Sequence, residues 1–566
     1  MSKLRIPVLE VQTPVETSLV ESRITGGMNS YIDPADLPNS QASVSQNSRT
    51  KADYTSRAPG TFNLSGTLPN TQPVLLFTEW NRFDGTTVLL RFTRSRVDKY
   101  SSGTYTQITG TLNGTNKDGI RFAQTADASS DYFIFSNNGA DKIQVLNSIP
   151  STFGPLSSST TINTKYKYIC VFFNRVVGAN RTQSVSSPVS AANPVLIGWS
   201  GDFNFTEWNP ANDISAGSTP LVEAQSDYAD PITGLFAFAS VMLILRERSL
   251  WIATKRPVAS NPFAFQAAFP YVGCDTPGSA TQMKNGIVWY DYRTNQVYVY
   301  EVGSSPREIG SPVKNNIQSA ITDKDLVWGS YDQVTNTYFL TIPSTSSTNT
   351  RIFHYNFDTN SWGYDNKENA YGVYPIDGGI SRLNYDQITG TYAQLAAAVS
   401  DYDAIGITAE SPSVNYIGYS NGVINYEDSE ADNYFLSTET TGINFLLEAT
   451  DNYILLEESN AGPLDWISKI YRLPSGDQMI SRLMVLFKPV RGGKFIVSYR
   501  KDFTSWVAYK TVTFDATQGR TRAYFTKLIR ANEFQWRIIC DKGDIQLLEY
   551  KIDISASPED KPLFGY

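Results

Sequence analysis

Histidine is almost absent: His354 stands alone among 566 residues. A Ser-His-Asp hydrolase, a two-histidine zinc site and a histidine proton relay each need imidazole in a fixed geometry, so one histidine argues against all three. Cysteine is nearly as scarce. Cys170, Cys274 and Cys540 are far apart, odd in number and never in a C-x-x-C spacing. That pattern suits neither a disulfide framework nor a thiolate metal site, and the three are expected as buried free thiols. Charge is sparse too, at 18% of residues, and it sums to −8. Neutralising nucleic-acid phosphates takes clustered Lys and Arg, which this composition does not supply. Long apolar runs are missing. The longest, Leu235 to Leu245, is too short for a bilayer core of roughly 30 Å and ends in Arg246-Glu247-Arg248. Met1 to Pro7 carries charge with no apolar run behind it, so neither a signal peptide nor membrane insertion is expected.

Catalytic motifs are equally thin. No glycine-rich loop ends in Lys-Ser or Lys-Thr, and Gly26-Gly27 and Gly492-Gly493 have no helical pattern after them. Gly418-Tyr419-Ser420-Asn421-Gly422 fits the nucleophile-elbow spacing, but that elbow needs a following helix and a later histidine. A strand pattern follows here, so a hairpin turn is expected. Asp332, Asp358 and Asp386 could meet near a propeller axis as paired carboxylates. Each sits in a turn signature, where Asp caps its own backbone, and that reading is preferred. Asp213 to Glu223 holds no calcium-loop spacing. No catalytic, cofactor or metal residue is assigned, and the chain is expected not to be an enzyme.

What the sequence does contain is strands. Thr86 to Phe92 is rich in β-branched and aromatic residues and follows Asp84-Gly85, a hairpin signal. Similar runs recur at 132–135, 166–173, 241–245, 287–292, 297–302, 338–342, 352–357 and 416–426, divided by Asn, Gly, Ser, Asp and Pro clusters. Apolar residues at helical spacing are nearly absent. Asp291-Tyr292-Arg293-Thr294-Asn295 returns 41 residues later as Asp332-Gln333-Val334-Thr335-Asn336, and the octet from Tyr331 returns from Tyr385. Such a spacing suits one propeller blade, and about 45 residues per blade allows about six to eight blades.

The expected fold is therefore all-β: an irregular propeller of about six to eight blades with an extended N-terminal arm and a C-terminal β-sandwich. Residues 1–60 are polar and proline-punctuated and read as the arm; 61–430 read as the propeller. Residues 431–464 form an acidic excursion of short strands, in which Glu448, Asp451, Glu457 and Glu458 would make a negative rim or lumen. Residues 465–556 alternate as a sandwich, with Gly492-Gly493 and Asp541 to Asp544 taken as turns, and 557–566 are a tail.

The order of short motifs adds a family. Gly26-Gly27-Met28-Asn29, Pro34, Leu37-Pro38, Asn47 and Arg57-Ala58-Pro59-Gly60 resemble the arm of propeller proteins in bacteriophage tails. Pro194 to Ser200 followed by Phe205-Thr206-Glu207-Trp208 resembles their "strand, Trp-Ser, then Trp" signature. Leu243 to Trp251 resembles their strand ending in Glu-Arg-Ser-x-Trp, and Val272-Gly273-Cys274-Asp275-Thr276-Pro277-Gly278-Ser279 comes next in order. Phe357 to Trp362 and the Tyr385 octet continue the series, which runs from about residue 25 to 430. The family is the tail hub or nozzle of short-tailed phages, of the packaged-DNA stabilisation type. The resemblance implies a virion protein assembled in the host bacterial cytoplasm, forming a homohexameric ring under the adaptor ring. It further implies contacts to tail fibres or spikes and to needle or tip proteins, and transient, non-sticking contact with phage DNA. It implies no cofactor. The excursion has no counterpart in it.

Three features of the residues agree with a conduit: net negative charge repels phosphates, free thiols suit a reducing cytoplasm, and a polar arm suits addition onto a neighbour. Two other classes compete. One is a carbohydrate-binding or glycoside-hydrolysing propeller. The other is an intracellular scaffold propeller, against which stands the lack of Gly-His and Trp-Asp repeats.

Overall fold

The computed structural model describes residues 18–64, 67–82, 85–101, 103–126, 130–147, 152–157, 164–182, 192–222, 230–343, 350–377, 413–428, 435–436, 456–457, 462–473 and 478–556. Their regular structure is almost all strand, and they separate into two compact units. One unit comprises Pro59–Phe357 and Tyr364–Ala461; the other comprises Met1–Ala58, Asp358–Gly363 and Gly462–Tyr566.

The first unit is a β-propeller. Five four-stranded antiparallel meanders follow one another as blades 1 to 5, over 76–108, 120–155, 166–220, 232–270 and 281–308. Blade 6 runs through Trp328–Asp332, Thr337–Ile342, Arg351–Asn356 and Ser361–Asn366. Blade 7 takes three strands from Ala370–Asp377, Ser413–Tyr419 and Ile424–Asp428, and its fourth from the other end of the sequence. Gly60–Asn63 pairs antiparallel with Ile424–Asp428, with Phe62 opposite Tyr426. First strands pack on one another from blade 5 through blades 6, 7, 1, 2 and 3 to blade 4, that of blade 7 meeting that of blade 1, and blades 4 and 5 share a core, so the ring closes. Closure covers most of the sheet edges that a protein made of short strands would otherwise expose.

The cores lie between blades. Phe77, Phe92, Phe133, Phe135 and Tyr416 join blades 7, 1 and 2, with Phe77 and Tyr416 ring centroids 4.9 Å apart. Ile134 and Ile169 join blades 2 and 3, Ile197 and Ile244 blades 3 and 4, Leu243 and Trp289 blades 4 and 5. The 41-residue repeat marks hairpins, not equivalent places in the ring. The Asp291 turn links strands 2 and 3 of blade 5; the Asp332 turn links strands 1 and 2 of blade 6. What recurs is turn chemistry. Asn295 and Asn336 sit at φ 50° and 49°, a left-handed conformation asparagine tolerates, and each accepts a bond from the Tyr290 or Tyr331 hydroxyl.

The second unit is a curled sheet folded around one core. Its frame is two strands of 24 residues, Gln478–Lys501 and Glu533–Ala556, paired along their length with several register shifts. Sequence reading places turns at Gly492-Gly493 and 541–544; both strands instead continue through these points as bulges and bend there. The bend needs glycine. A Cβ on Gly493 would lie 2.1 Å from the Lys542 carbonyl oxygen, and Gly543 has φ +78°. Bending turns Leu483, Val485 and Phe487 on one side of the bend toward Phe495 and Val497 on the other, in a core with Trp466, Trp536 and Tyr550. Thr521–Arg530 flanks one half and Val507–Phe514 the other. The arm belongs here: Ser18–Arg23 pairs with the final strand from Ile554 back to Glu549.

Among the described residues, no helix is long and apolar enough to cross a membrane.

Candidate functional site: the axial cavity

The first strands and lead-in loops of blades 1, 2, 3, 5, 6 and 7 converge on one cavity of about 350 Å³. Blade 2 contributes Arg121, the second residue of its first strand, and blade 3 contributes Lys167 and Tyr168. Trp328 opens blade 6, and Tyr371 and Tyr374 open blade 7. Close approach of the loops depends on Gly278, where a Cβ would lie 2.0 Å from the Val327 carbonyl oxygen.

The walls are aromatic. Trp328 and Tyr374 have centroids 6.4 Å apart, and the Tyr374 hydroxyl donates to the Val74 carbonyl at 2.8 Å. The Tyr371 hydroxyl donates to the Asn116 carbonyl at 2.6 Å. Burial raises the pKa of Tyr168, Tyr371 and Tyr374, so all three remain neutral donors.

The charges divide by depth. At the exposed mouth Lys117 pairs with Asp323 at 2.6 Å, which raises the lysine pKa and lowers the carboxyl; Asp325 lies exposed beside them. Asp118 is engaged by its own loop, accepting from the Thr115 N–H at 2.7 Å, the Thr115 hydroxyl at 2.9 Å and the Asn138 amide at 2.9 Å. Arg121 stands over the Trp328 ring at 4.7 Å and donates one bond, from Nη2 to the Pro277 carbonyl at 2.6 Å. Burial lowers its pKa, the mark of a guanidinium short of solvent.

The residues singled out from sequence fall elsewhere. Glu448, Asp451 and Glu458 lie outside the described residues. Glu457 falls in the short strand Leu456–Glu457, paired with Phe435–Leu436, and its side chain lies outside them as well. Asp386 and the Tyr385 octet are likewise outside. Asp332 caps its turn as expected, accepting from the Val334 N–H at 2.9 Å and the Thr335 hydroxyl at 2.6 Å. Asp291 does the same for Thr294 at 2.8 Å, and burial raises its pKa. Gly418 to Gly422 is a hairpin turn, with the Gly422 N–H on the Tyr419 carbonyl. His354 is buried within blade 6, 3.9 Å from Asp365. All three thiols are buried, and burial pushes Cys274 and Cys540 up to about 12. Among the described residues, no group of three His, Cys, Asp or Glu is placed to hold a metal ion. Arg121 and Lys167 carry no motif in sequence; the packing of the first strands of blades 2 and 3 sets both on the cavity wall.

The 243–251 and 272–279 segments, by contrast, fasten strands within blade 4 and between blades. Asp230 accepts from the Arg248 N–H and the Ser249 hydroxyl, Ser249 accepts from Trp251 Nε1, and Arg246 stacks on Trp251 at 5.1 Å. The 272–279 loop ties three blades. The Cys274 N–H donates to Arg246, Trp289 Nε1 donates to Gly273, and the Tyr338 hydroxyl donates to Ser279.

No protein-family model matches the chain, and no curated protein matches it. Solved structures do. The extracellular domain of a hybrid two-component system from B. thetaiotaomicron matches with 9% identity and a TM-score of 0.35, over 80% of this chain; the chain spans about half (48%) of that protein. A glycoside hydrolase family 43 arabinoxylan arabinofuranohydrolase from Bacillus subtilis matches with 10% identity and a TM-score of 0.24, over 93% of this chain and 99% of that one. An exo-β-1,3-galactanase from Phanerochaete chrysosporium matches with 8% identity and a TM-score of 0.21, over 78% and 96%. At these values the likeness is one of fold. It overturns the expectation that the chain is not an enzyme: glycoside hydrolases are among the proteins that match, and the ring encloses a cavity that sequence did not reveal. That expectation is withdrawn.

Proposed function

We propose that the chain is the tail hub or nozzle protein of a short-tailed bacteriophage, a virion component that retains packaged DNA and conducts it at ejection. In this reading six copies form a ring beneath the adaptor ring, contact fibres or spikes and the tip proteins, and assemble in the host cytoplasm. One observation carries it. Three of the motifs that resemble that family, in its order, supply contacts within blade 3, within blade 4 and at the joint of blades 4, 5 and 6. These three motifs are therefore part of how the strands are held, which supports the reading. A net charge of −8 with few cations supports it as well, because a conduit works best when its wall repels phosphate. Mass photometry and negative-stain imaging at rising concentration test it. Six-fold rings are expected, and a monomer at every concentration would refute it.

A second reading, a carbohydrate-binding or glycoside-hydrolysing propeller, is favoured by the cavity itself. Its aromatic walls and its volume suit a sugar unit, and Asp118 and Asp325 stand at its edge. Glycan-array binding lost on Trp328→Ala would support that reading.

A further inference from the structure

We infer that the axial cavity is a binding site for a small oxyanion, a carboxylate or phosphate carried on a compact organic ligand. The inference stands on the cavity and needs neither functional reading above. Three observations lead to it. First, the cavity wall carries two half-buried cations that form no ion pair among the described residues. Lys167 is half-buried and makes no hydrogen bond or ion pair among the described residues, and Arg121 spends only Nη2, on Pro277. Secondly, the nearby carboxylates are committed or stand at the solvent-exposed mouth. Asp118 is engaged by Thr115 and Asn138, Asp323 by Lys117, and Asp325 is exposed at the mouth. Thirdly, Arg121 is held in one orientation by the Trp328 ring beneath it and the Pro277 carbonyl beside it, so its remaining N–H groups are preset.

A half-buried guanidinium and a half-buried lysine lining one volume gain from an anion that joins them. A planar fork of donors matches a carboxylate or a phosphate face, and the adjacent lysine adds a point charge. A volume of about 350 Å³ admits a ligand of monosaccharide size, and Trp328 and Tyr371 supply flat apolar walls for its body.

Isothermal titration calorimetry of the full chain tests this with three probes: sodium glucuronate, glucose and inorganic phosphate. Glucuronate or phosphate is expected to bind, more weakly as salt rises, while glucose does not. Glucuronate binding alone identifies a carboxylate ligand and phosphate binding alone a phosphate; either supports the site. Lys167→Gln is expected to weaken binding at least tenfold with the unfolding midpoint unchanged. Arg121→Gln is expected to weaken it further, and if that variant does not fold, Lys167→Gln decides. Glucose binding as tightly as glucuronate, no binding of any probe, or binding unmoved by Lys167→Gln would each overturn the inference.

Discussion

The propeller and the curled sheet are both made of antiparallel strands, yet they place their polar groups oppositely. Propeller strands run for two to eight residues before a turn, and strands and turns alike bury charge. Arg91 and Asp98, paired across blade 1 at 2.8 Å, have fully buried side chains, and burial lowers the arginine's pKa. Asp291 and Asp332 are also fully buried. In the other unit the two frame strands run for 24 residues and the ion pairs sit at or near the surface, as with Arg537 and Asp465 at 2.6 Å and Lys551 and Glu21 at 2.6 Å. Short strands reverse often, and each reversal within a packed ring must satisfy its backbone by side-chain capping. Long strands reverse rarely and depend on apolar length and on glycine where they bend.

Experiments can break this contrast, beginning with the largest effect. Deleting residues 1–58 removes the arm strands of the curled sheet; deleting 1–63 also removes the closing strand of blade 7. By differential scanning calorimetry, the shorter deletion is expected to abolish one transition and spare the propeller's, and the longer to abolish both. Next, Asp98→Ala leaves Arg91 buried without its partner and is expected to cost about 3–5 kcal/mol in urea unfolding of the propeller. Gly493→Val forces a side chain against the Lys542 carbonyl and should cost about 1–3 kcal/mol in the curled sheet alone. Asp332→Ala removes the turn cap of blade 6 for about 1–2 kcal/mol, while Arg537→Ala, at a partly exposed pair, should cost about 1 kcal/mol or less. Equal costs for those last two would erase the contrast. Smallest of all, native thiols are expected to resist alkylation at pH 8. Burial holds Cys274 and Cys540 up at about 12, so their thiolate is scarce until unfolding returns them to about 8.5. As denaturant rises, labelling of Cys540 against Cys170 and Cys274 reports which unit opens first.

Much of the fold was legible because hairpins write themselves locally. Runs such as Thr86 to Phe92 and the Asp-to-Asn turns at 291 and 332 announce strands and reversals by residue type alone, and the all-β propeller with its arm and C-terminal sheet follows. Gly492-Gly493 was misread for the same reason. A glycine pair inside alternating residues looks the same whether the chain reverses or bends through a bulge, and only the partner strand through Lys542 decides. The repeat at 291 and 332 misled in register, since turn chemistry is shared by every hairpin whatever its place in a blade. The cavity was not legible at all. Arg121 and Lys167 are single polar residues on the first strands of consecutive blades, and no local pattern says that those strands pack side by side on one cavity.

The closing strand also sets an order of events during synthesis. Gly60–Asn63 leaves the ribosome early, but its partner Ile424–Asp428 follows about 360 residues later. At about 5–20 residues per second, the unpaired segment waits roughly 20–70 s, and Ser18–Arg23 waits longer still for 549–554. Through that interval the nascent chain holds a row of finished hairpins with a bare flank at blade 1. Chaperone demand and truncation products should therefore concentrate between translation of blade 1 and of residue 428, however stable the finished protein is.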